Sequence, residues 1–207
     1  MFSEKISFFL IVDLAGVVVF AISGILTAGK KGMDLFGIIV ISIVTAIGGG
    51  TIRDLLLNRF PIFWMSNPGY LIIIIITAIL SVSYLKKYKI PFKALLIADA
   101  LGLAFFTITG TKIAYQSGQH FLVSIIMGTI TGVAGGMVRD ILSAEIPLIL
   151  RRDIYATASI VGAILYISIV NFVPENIAMV VGVISIFSLR MLAIIFKLKL
   201  PIIHIEH

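Results

Sequence analysis

Two short segments place full charges inside apolar stretches of the chain. The first, AIGGGTIRDLL at 46–56, has three glycines followed by Arg53 and Asp54. The second, VAGGMVRDIL at 133–142, has Arg139 and Asp140 in the same order. Charged residues within a membrane span usually face protein or a water-filled cavity, and they mark ion or substrate pathways. These four side chains are therefore candidates for lining a pathway.

Two further carboxylates lie in apolar segments, Asp13 and Asp99, each forty residues before the corresponding arginine. Adjacent residues on a helix point in different directions. We therefore expect each arginine to pair with a carboxylate on another helix, Asp13 for Arg53 and Asp99 for Arg139. The alternative is that buried ion pairs only fix how the helices pack, and a combined role is compatible with the sequence.

The composition is that of an all-α integral membrane protein. Of 207 residues 60% are hydrophobic and 13% charged, with a mean hydropathy of +1.17, against about 45–50% and 25% in soluble domains. No cysteine is present, the three histidines lack metal-ligand spacing, and no Gly-Lys-Ser/Thr follows the glycine runs. We expect no enzyme activity, no cofactor, no metal beyond transient monovalent cations, and no nucleic-acid partner.

Runs of about twenty apolar residues predict seven membrane-spanning helices within one membrane domain, 1–207. The first contains Asp13 and is too long for the apolar region of a cleaved signal peptide. The predicted spans are 6–28, 34–57, 69–85, 92–114, 120–143, 154–171 and 177–196. Ten Lys and Arg fall in the segments on one side and three on the other. This bias predicts an outside N-terminus and a cytoplasmic C-terminus.

The chain contains an internal repeat. Residues 13–61 align without a gap with residues 99–147, with fifteen identities that include Asp, Arg, Gly and Pro. The unit comprises three helices (about 6–85 and about 92–171), and three is odd, so the second copy enters the membrane from the opposite side. The helix at about 177–196 is additional. Inverted repeats of this kind typically hold a transport site at their interface, near the midplane.

Within this arrangement the charges form two layers. Asp13, Arg53 and Asp54 are expected near the outer face, and Asp99, Arg139 and Asp140 near the inner face. Between them lie the glycine runs, Gly48, Gly49 and Gly50 in the second span and Gly135 and Gly136 in the fifth. Such runs favour either a kink or local unwinding, which is tolerated at membrane depth only against protein or water, or close helix packing.

The doubled motif, GGGTIRD and GGMVRD at matching positions, resembles the prokaryotic branch of the trimeric intracellular cation (TRIC) channel family. The resemblance covers nearly the whole chain. That family is also described as a small-amino-acid (glycine) transporter domain. The resemblance implies kinked second and fifth helices, and a homotrimer in which each protomer holds its own pathway for potassium and sodium. Ala134 replaces the third glycine of the second copy, so a milder break is expected there.

The leading hypothesis is a monovalent cation channel, of potassium and possibly sodium, in the cytoplasmic membrane of a bacterium or archaeon. Its pore would be lined by the first, second, fourth and fifth spans and surrounded by membrane lipid. The four aspartates would concentrate cations at the mouths, Arg53 and Arg139 would hold those carboxylates, and Phe20 and Phe106 would form a gate. The alternative is a secondary transporter of a small zwitterion such as glycine.

Overall fold

The computed structural model describes residues 8–85, 87, 93–151 and 154–198. These residues are helical apart from their connecting segments. In chain order the helices are α1 (Phe8–Lys30), α2 (Leu35–Leu56), α3 (Phe63–Ser66), α4 (Gly69–Leu85), α5 (Lys93–Gln116), α6 (Phe121–Leu142), α7 (Leu148–Arg151), α8 (Ala156–Ile169) and α9 (Glu175–Phe196).

The long helices follow the predicted spans. Where both ends are described, each agrees to within two residues; the predicted starts at 6 and 92 fall outside the described residues. By length and composition α1, α2, α5, α6 and α9 can cross a membrane, whereas α4 and α8 are shorter apolar helices. The four-residue helices α3 and α7 lie between predicted spans.

Several helices of the two repeat copies begin or end at equivalent residues. The bounds of α6 are those of α2 displaced by 86 residues. Gly32 follows α1 with φ of +67°, and Gly118 follows α5 with φ of +79°, a left-handed conformation in which glycine avoids the steric cost of a Cβ. Asp34 caps α2 by accepting a 2.7 Å hydrogen bond from Gly37 N. The two copies therefore use equivalent turns.

The centre of the molecule is a close crossing of α2 and α6 at the glycine runs. A Cβ on Gly49 would collide with the Thr131 carbonyl, and a Cβ on Gly135 would collide with the Thr45 carbonyl. Gly49 and Gly135 are repeat equivalents, as are Thr45 and Thr131, so the contact is reciprocal. Residue numbers rise along α2 while they fall along α6, which means that the two helices cross antiparallel.

The glycine runs are part of continuous helices. Residues 48–50 lie within α2 and residues 135–136 within α6, with helix on both sides. The predicted local unwinding at Gly48, Gly49, Gly50, Gly135 and Gly136 is therefore wrong for this structure. The absent side chains are explained by packing, because small residues let two helix backbones approach. A kink of the helix axis stays a prediction.

The remaining helices pack around this centre. Helices α1 and α5 lie against α2 and α6, α4 covers α1 and α2, and α8 and α9 cover α5. One apolar cluster joins α1, α2, α4 and α5 around Val17, Phe20 and Ile74, and another surrounds Leu103, Tyr166 and Met179 on α5, α8 and α9. The charged side chains of the motifs are thus enclosed by protein.

Candidate pathway site

The second copy of the motif forms a buried charge cluster, here named the Arg139 cluster. Its members are Ser23 on α1, Asp99 on α5, and Arg139 and Asp140 on α6. Arg139 Nη1 donates to Asp99 Oδ1 at 2.9 Å and to the Ser23 hydroxyl, and Nε donates to Asp140 Oδ1 at 2.8 Å. Arg139 and Asp99 are fully buried. The expected pairing of Arg139 with Asp99 is observed, and Ser23 brings the first repeat copy into the cluster.

Backbone and aromatic groups hold the cluster in place. The second oxygen of Asp140 accepts a 2.8 Å hydrogen bond from Leu148 N, the first residue of α7. A Cβ at Gly136 would lie 3.2 Å from both Asp99 Oδ1 and the Tyr155 hydroxyl, so the Tyr155 ring ends at the same point. Arg190 on α9 stacks 4.5 Å from the centre of the Tyr155 ring. The additional helix therefore supports the cluster through Tyr155.

The first copy forms the Arg53 cluster, which comprises Asp13 on α1, Arg53 and Asp54 on α2, and Tyr70 on α4. Arg53 Nε donates to Asp54 Oδ1 at 2.9 Å, and Phe63 N donates to Asp54 Oδ2 at 3.0 Å. The Tyr70 hydroxyl donates to Asp13 Oδ2 at 2.7 Å. Asp13 is 5% exposed, and Arg53 and Asp54 are each 3% exposed. All six charged residues predicted for the pathway are therefore buried.

The expected Arg53–Asp13 pair is wrong: within the described part of the chain, Arg53 is ion-paired with its neighbour Asp54. Adjacent residues of a helix point in different directions, but the arginine side chain is long enough for its guanidinium to reach the carboxylate of the next residue. Asp13 is instead bound by the tyrosine hydroxyl. Two tyrosines are absent from the sequence-based site. Tyr70 lies near the start of α4 and binds Asp13, and Tyr155 directly precedes α8 and lies beside the equivalent Asp99.

An apolar layer separates the two clusters. Along α1, Asp13 belongs to one cluster and Ser23 to the other, and ten residues of helix span about 15 Å. Phe20 lies between them and meets Phe106 edge-on, with ring centroids 5.2 Å apart. Both rings are buried, at 0% and 3% exposure. The arrangement is a polar cluster, an aromatic contact and a second polar cluster.

Known proteins resemble the chain over nearly its whole length. A family model described as "Glycine transporter" matches residues 10–86 and again 96–171. The UPF0126 inner membrane protein YadS of Escherichia coli K12 is 43% identical over 192 residues, which cover 91% of this chain and 93% of that protein. The chain belongs to the TRIC/UPF0126 family. Each of the two matched segments begins within the first helix of a repeat copy.

Solved TRIC structures share the fold. A TRIC orthologue from Rhodobacter sphaeroides superimposes with a TM-score of 0.88 at 36% identity, covering 92% of this chain and 98% of the other. A chain from a study of conductance through TRIC cation channels gives 0.84 at 39% identity, covering 95% and 98%. The protein is thus an all-helical, multi-pass membrane protein whose structural neighbours are ion channels.

Proposed function

We propose that this TRIC/UPF0126 protein is a monovalent cation channel with a pore through each protomer, lined by α1, α2, α5 and α6. The observation that carries the proposal is the pair of buried charge clusters on opposite sides of the Phe20–Phe106 contact. Two carboxylates surround one guanidinium in the Arg139 cluster, which leaves one net negative charge when both are ionised. Such a site attracts a cation and disfavours an anion. The likeness to TRIC cation channels supports the same activity.

The proposed architecture is seven membrane spans arranged as two inverted repeats and a final helix, within one membrane domain. The reciprocal contacts of Gly49 with Thr131 and of Gly135 with Thr45 support it, because they require equivalent helices to run in opposite directions. In this arrangement α4 and α8 cross the membrane although they are short. The charge bias of the loops favours an outside N-terminus and a cytoplasmic C-terminus.

Each residue type has its own part in the proposed pathway. Asp13, Asp54, Asp99 and Asp140 raise the local cation concentration at the two ends. Arg53 and Arg139 fix the carboxylates and limit their net charge. Phe20 and Phe106 close the centre by excluding water, as hydrophobic constrictions do in other channels. The packed glycines of α2 and α6 provide the axis about which these two helices shift or kink. They are Gly48, Gly49, Gly50, Gly135 and Gly136.

The cellular setting is proposed from the family. YadS is described as an inner membrane protein, and we infer the cytoplasmic membrane of a bacterium or archaeon for this chain. The channel would be a homotrimer embedded in lipid, would pass potassium and sodium, and would need no cofactor and catalyse no reaction.

Recordings from purified protein in planar bilayers test the proposal. Unitary currents are expected in KCl, with a reversal potential near that of potassium under a KCl gradient. Asp99→Asn is expected to lower conductance or cation selectivity, while Asp34→Asn, which alters only the cap of α2, should leave the selectivity unchanged. Absence of unitary current from protein that is folded and reconstituted in both orientations would contradict the channel.

The alternative is a secondary transporter of glycine, and the description of the matching family model favours it. In that case the amino acid carboxylate would meet Arg53 or Arg139. Proteoliposomes loaded with unlabelled glycine distinguish the two functions. Saturable uptake of labelled glycine by exchange, without unitary currents, would establish the transporter and exclude the channel.

A further inference from the structure

Two pockets are lined by residues at equivalent positions of the two repeat copies. One, the Arg59 mouth, is lined by Phe9, Arg59, Lys112, Ile113, Gln116 and Ser117. The other, the Glu145 mouth, is lined by Thr27, Lys30, Lys31, Leu95, Asp140, Glu145, Ile146, Leu148 and Arg151. A displacement of 86 residues converts five of the six residues of the first pocket into residues of the second. The duplicated fold therefore builds the same entrance twice.

The two entrances differ in size. The Arg59 mouth has a volume of about 450 Å³, whereas the Glu145 mouth has about 40 Å³, which is room for a few water molecules. Asp140 of the Arg139 cluster lines the smaller one. A cation that enters by this route would therefore meet a carboxylate of the cluster directly.

Three charged side chains form two salt bridges at the small mouth. Lys31, in the loop after α1, lies 2.7 Å from Glu145, and Arg151, at the end of α7, lies 2.6 Å from the same carboxylate. Hydrogen bonds from Lys31 and Arg151 lower the pKa of Glu145 to about 2. The side chains are 27% to 42% exposed, so water and salt reach the bridge.

The large mouth cannot form this bridge. The residue equivalent to Glu145 is Arg59, and the residue equivalent to Lys31 is Ser117. The positions on α3 that correspond to Arg151 are Met65 and Ser66, which carry no charge. The smaller mouth is therefore the one that has the bridge, although other lining residues also differ between the two mouths.

We propose that Lys31, Glu145 and Arg151 form an electrostatic latch that closes one mouth of the pathway, while the equivalent mouth stays open. The latch ties the α1–α2 loop to the segment after α6, so its release lets these two elements separate and exposes Asp140. Its role in gating rests on the proposed channel function. Closure of the mouth itself can be measured without any current.

Thiol labelling measures the two mouths in a matched way, because the chain has no cysteine of its own. Thr27 lines the small mouth and its repeat equivalent Ile113 lines the large one. Purified Thr27→Cys is expected to react with a charged methanethiosulfonate about tenfold more slowly than Ile113→Cys, if the open state is a minor population of about 10%. Adding Glu145→Gln should raise the rate at Thr27→Cys by about the same factor and leave Ile113→Cys unchanged.

The converse experiment builds the latch where it is absent. Arg59→Glu with Ser117→Lys places the same pair of charges at exposed positions of the large mouth, where they add no buried charge. Labelling of Ile113→Cys should then slow. If Glu145→Gln leaves the labelling rate at Thr27→Cys unchanged, and the transplanted pair leaves the rate at Ile113→Cys unchanged, the latch does not exist.

Bilayer recordings of the same variants separate the latch from the channel. Glu145→Gln is expected to raise the open probability with unchanged unitary conductance, because the bridge closes a mouth and does not form the constriction. Accelerated labelling in a protein that gives no current would support the proposed latch and contradict the proposed channel function. Normal currents with unaltered labelling and open probability would retain the channel and reject the latch.

Discussion

The ring of Phe20 on α1 meets the ring of Phe106 on α5 edge-on, with centroids 5.2 Å apart. Each ring also packs on a glycine of the other helix, and these two glycines are repeat equivalents. Phe106 packs on Gly16, and Phe20 packs on Gly102. A displacement of 86 residues converts each of these contacts into the other. In the proposed channel, ions that move between the charge clusters pass this point.

Shortening these rings should open the pathway. Phe20→Leu and Phe106→Leu remove aromatic bulk but retain an apolar core residue, and the double variant should increase the open probability or the unitary conductance in planar bilayers. Phe36→Leu is a matched control, since Phe36 is 74% exposed and away from the centre. Unchanged conductance and gating in the folded double variant would show that the ions take another route.

The two clusters should respond differently to loss of an aspartate charge. Asp99 is fully buried and ion-paired with Arg139. Its replacement removes a charge-assisted hydrogen bond worth about 1.5–3 kcal/mol, while Arg139 keeps its pair with Asp140. Asp13 accepts a hydrogen bond from a neutral phenol, so loss of its charge should cost about 1 kcal/mol. Thermal unfolding of Asp99→Asn and Asp13→Asn, followed through Trp64 fluorescence, should give a clearly lower midpoint for Asp99→Asn. Equal midpoints would contradict the assigned pairing.

The sequence predicts the helices well because long apolar runs, turn residues and the repeat all indicate the same boundaries. It predicts the Arg139–Asp99 pair but not the binding of Asp13 by Tyr70. After Pro61 and Pro147 the second copy is one residue shorter, so the gapless alignment ends before the two tyrosines. With a displacement of 85, Tyr70 aligns with Tyr155, and further identities follow at Ile75, Ala78, Ile79, Leu80 and Ser83.

Side-chain direction is what sequence spacing could not supply. The adjacent pair Arg53–Asp54 forms because the end of α2 is folded against α3, and the Phe63 amide orients the carboxylate. The glycine runs were ambiguous for a similar reason. Their composition is compatible with unwinding or with packing. Which of the two occurs depends on a backbone carbonyl of another helix, that of Thr131 for Gly49 and that of Thr45 for Gly135.

The helix crossing makes a sharp prediction for neighbouring glycines. Gly49→Ala drives a methyl group into the Thr131 carbonyl, whereas a Cβ at Gly48 would lie 3.7 Å from Gly135 Cα, an ordinary contact. Overpacking of this kind costs about 1–3 kcal/mol. Gly49→Ala and Gly135→Ala should therefore lower the unfolding temperature in detergent, and Gly48→Ala should not. Ala134, which already replaces glycine at the equivalent position of the second copy, supports this expectation.

The latch should weaken progressively in acid, below about pH 5. Lys30, Lys31, Arg151 and Asp140 face Glu145 in the small mouth, and the two bonded cations lower its pKa from 4.5 to about 2. A carboxylate with a lowered pKa contributes to closure above its ordinary pKa, and that contribution is lost as the pH falls through the lowered value. The labelling rate at Thr27→Cys relative to Ile113→Cys, measured with a dipyridyl disulfide that stays reactive in acid, should stay constant from pH 7 to about pH 5 and then rise progressively towards about pH 2. A relative rate that is unchanged over this whole range would mean that the bridge does not hold the mouth closed.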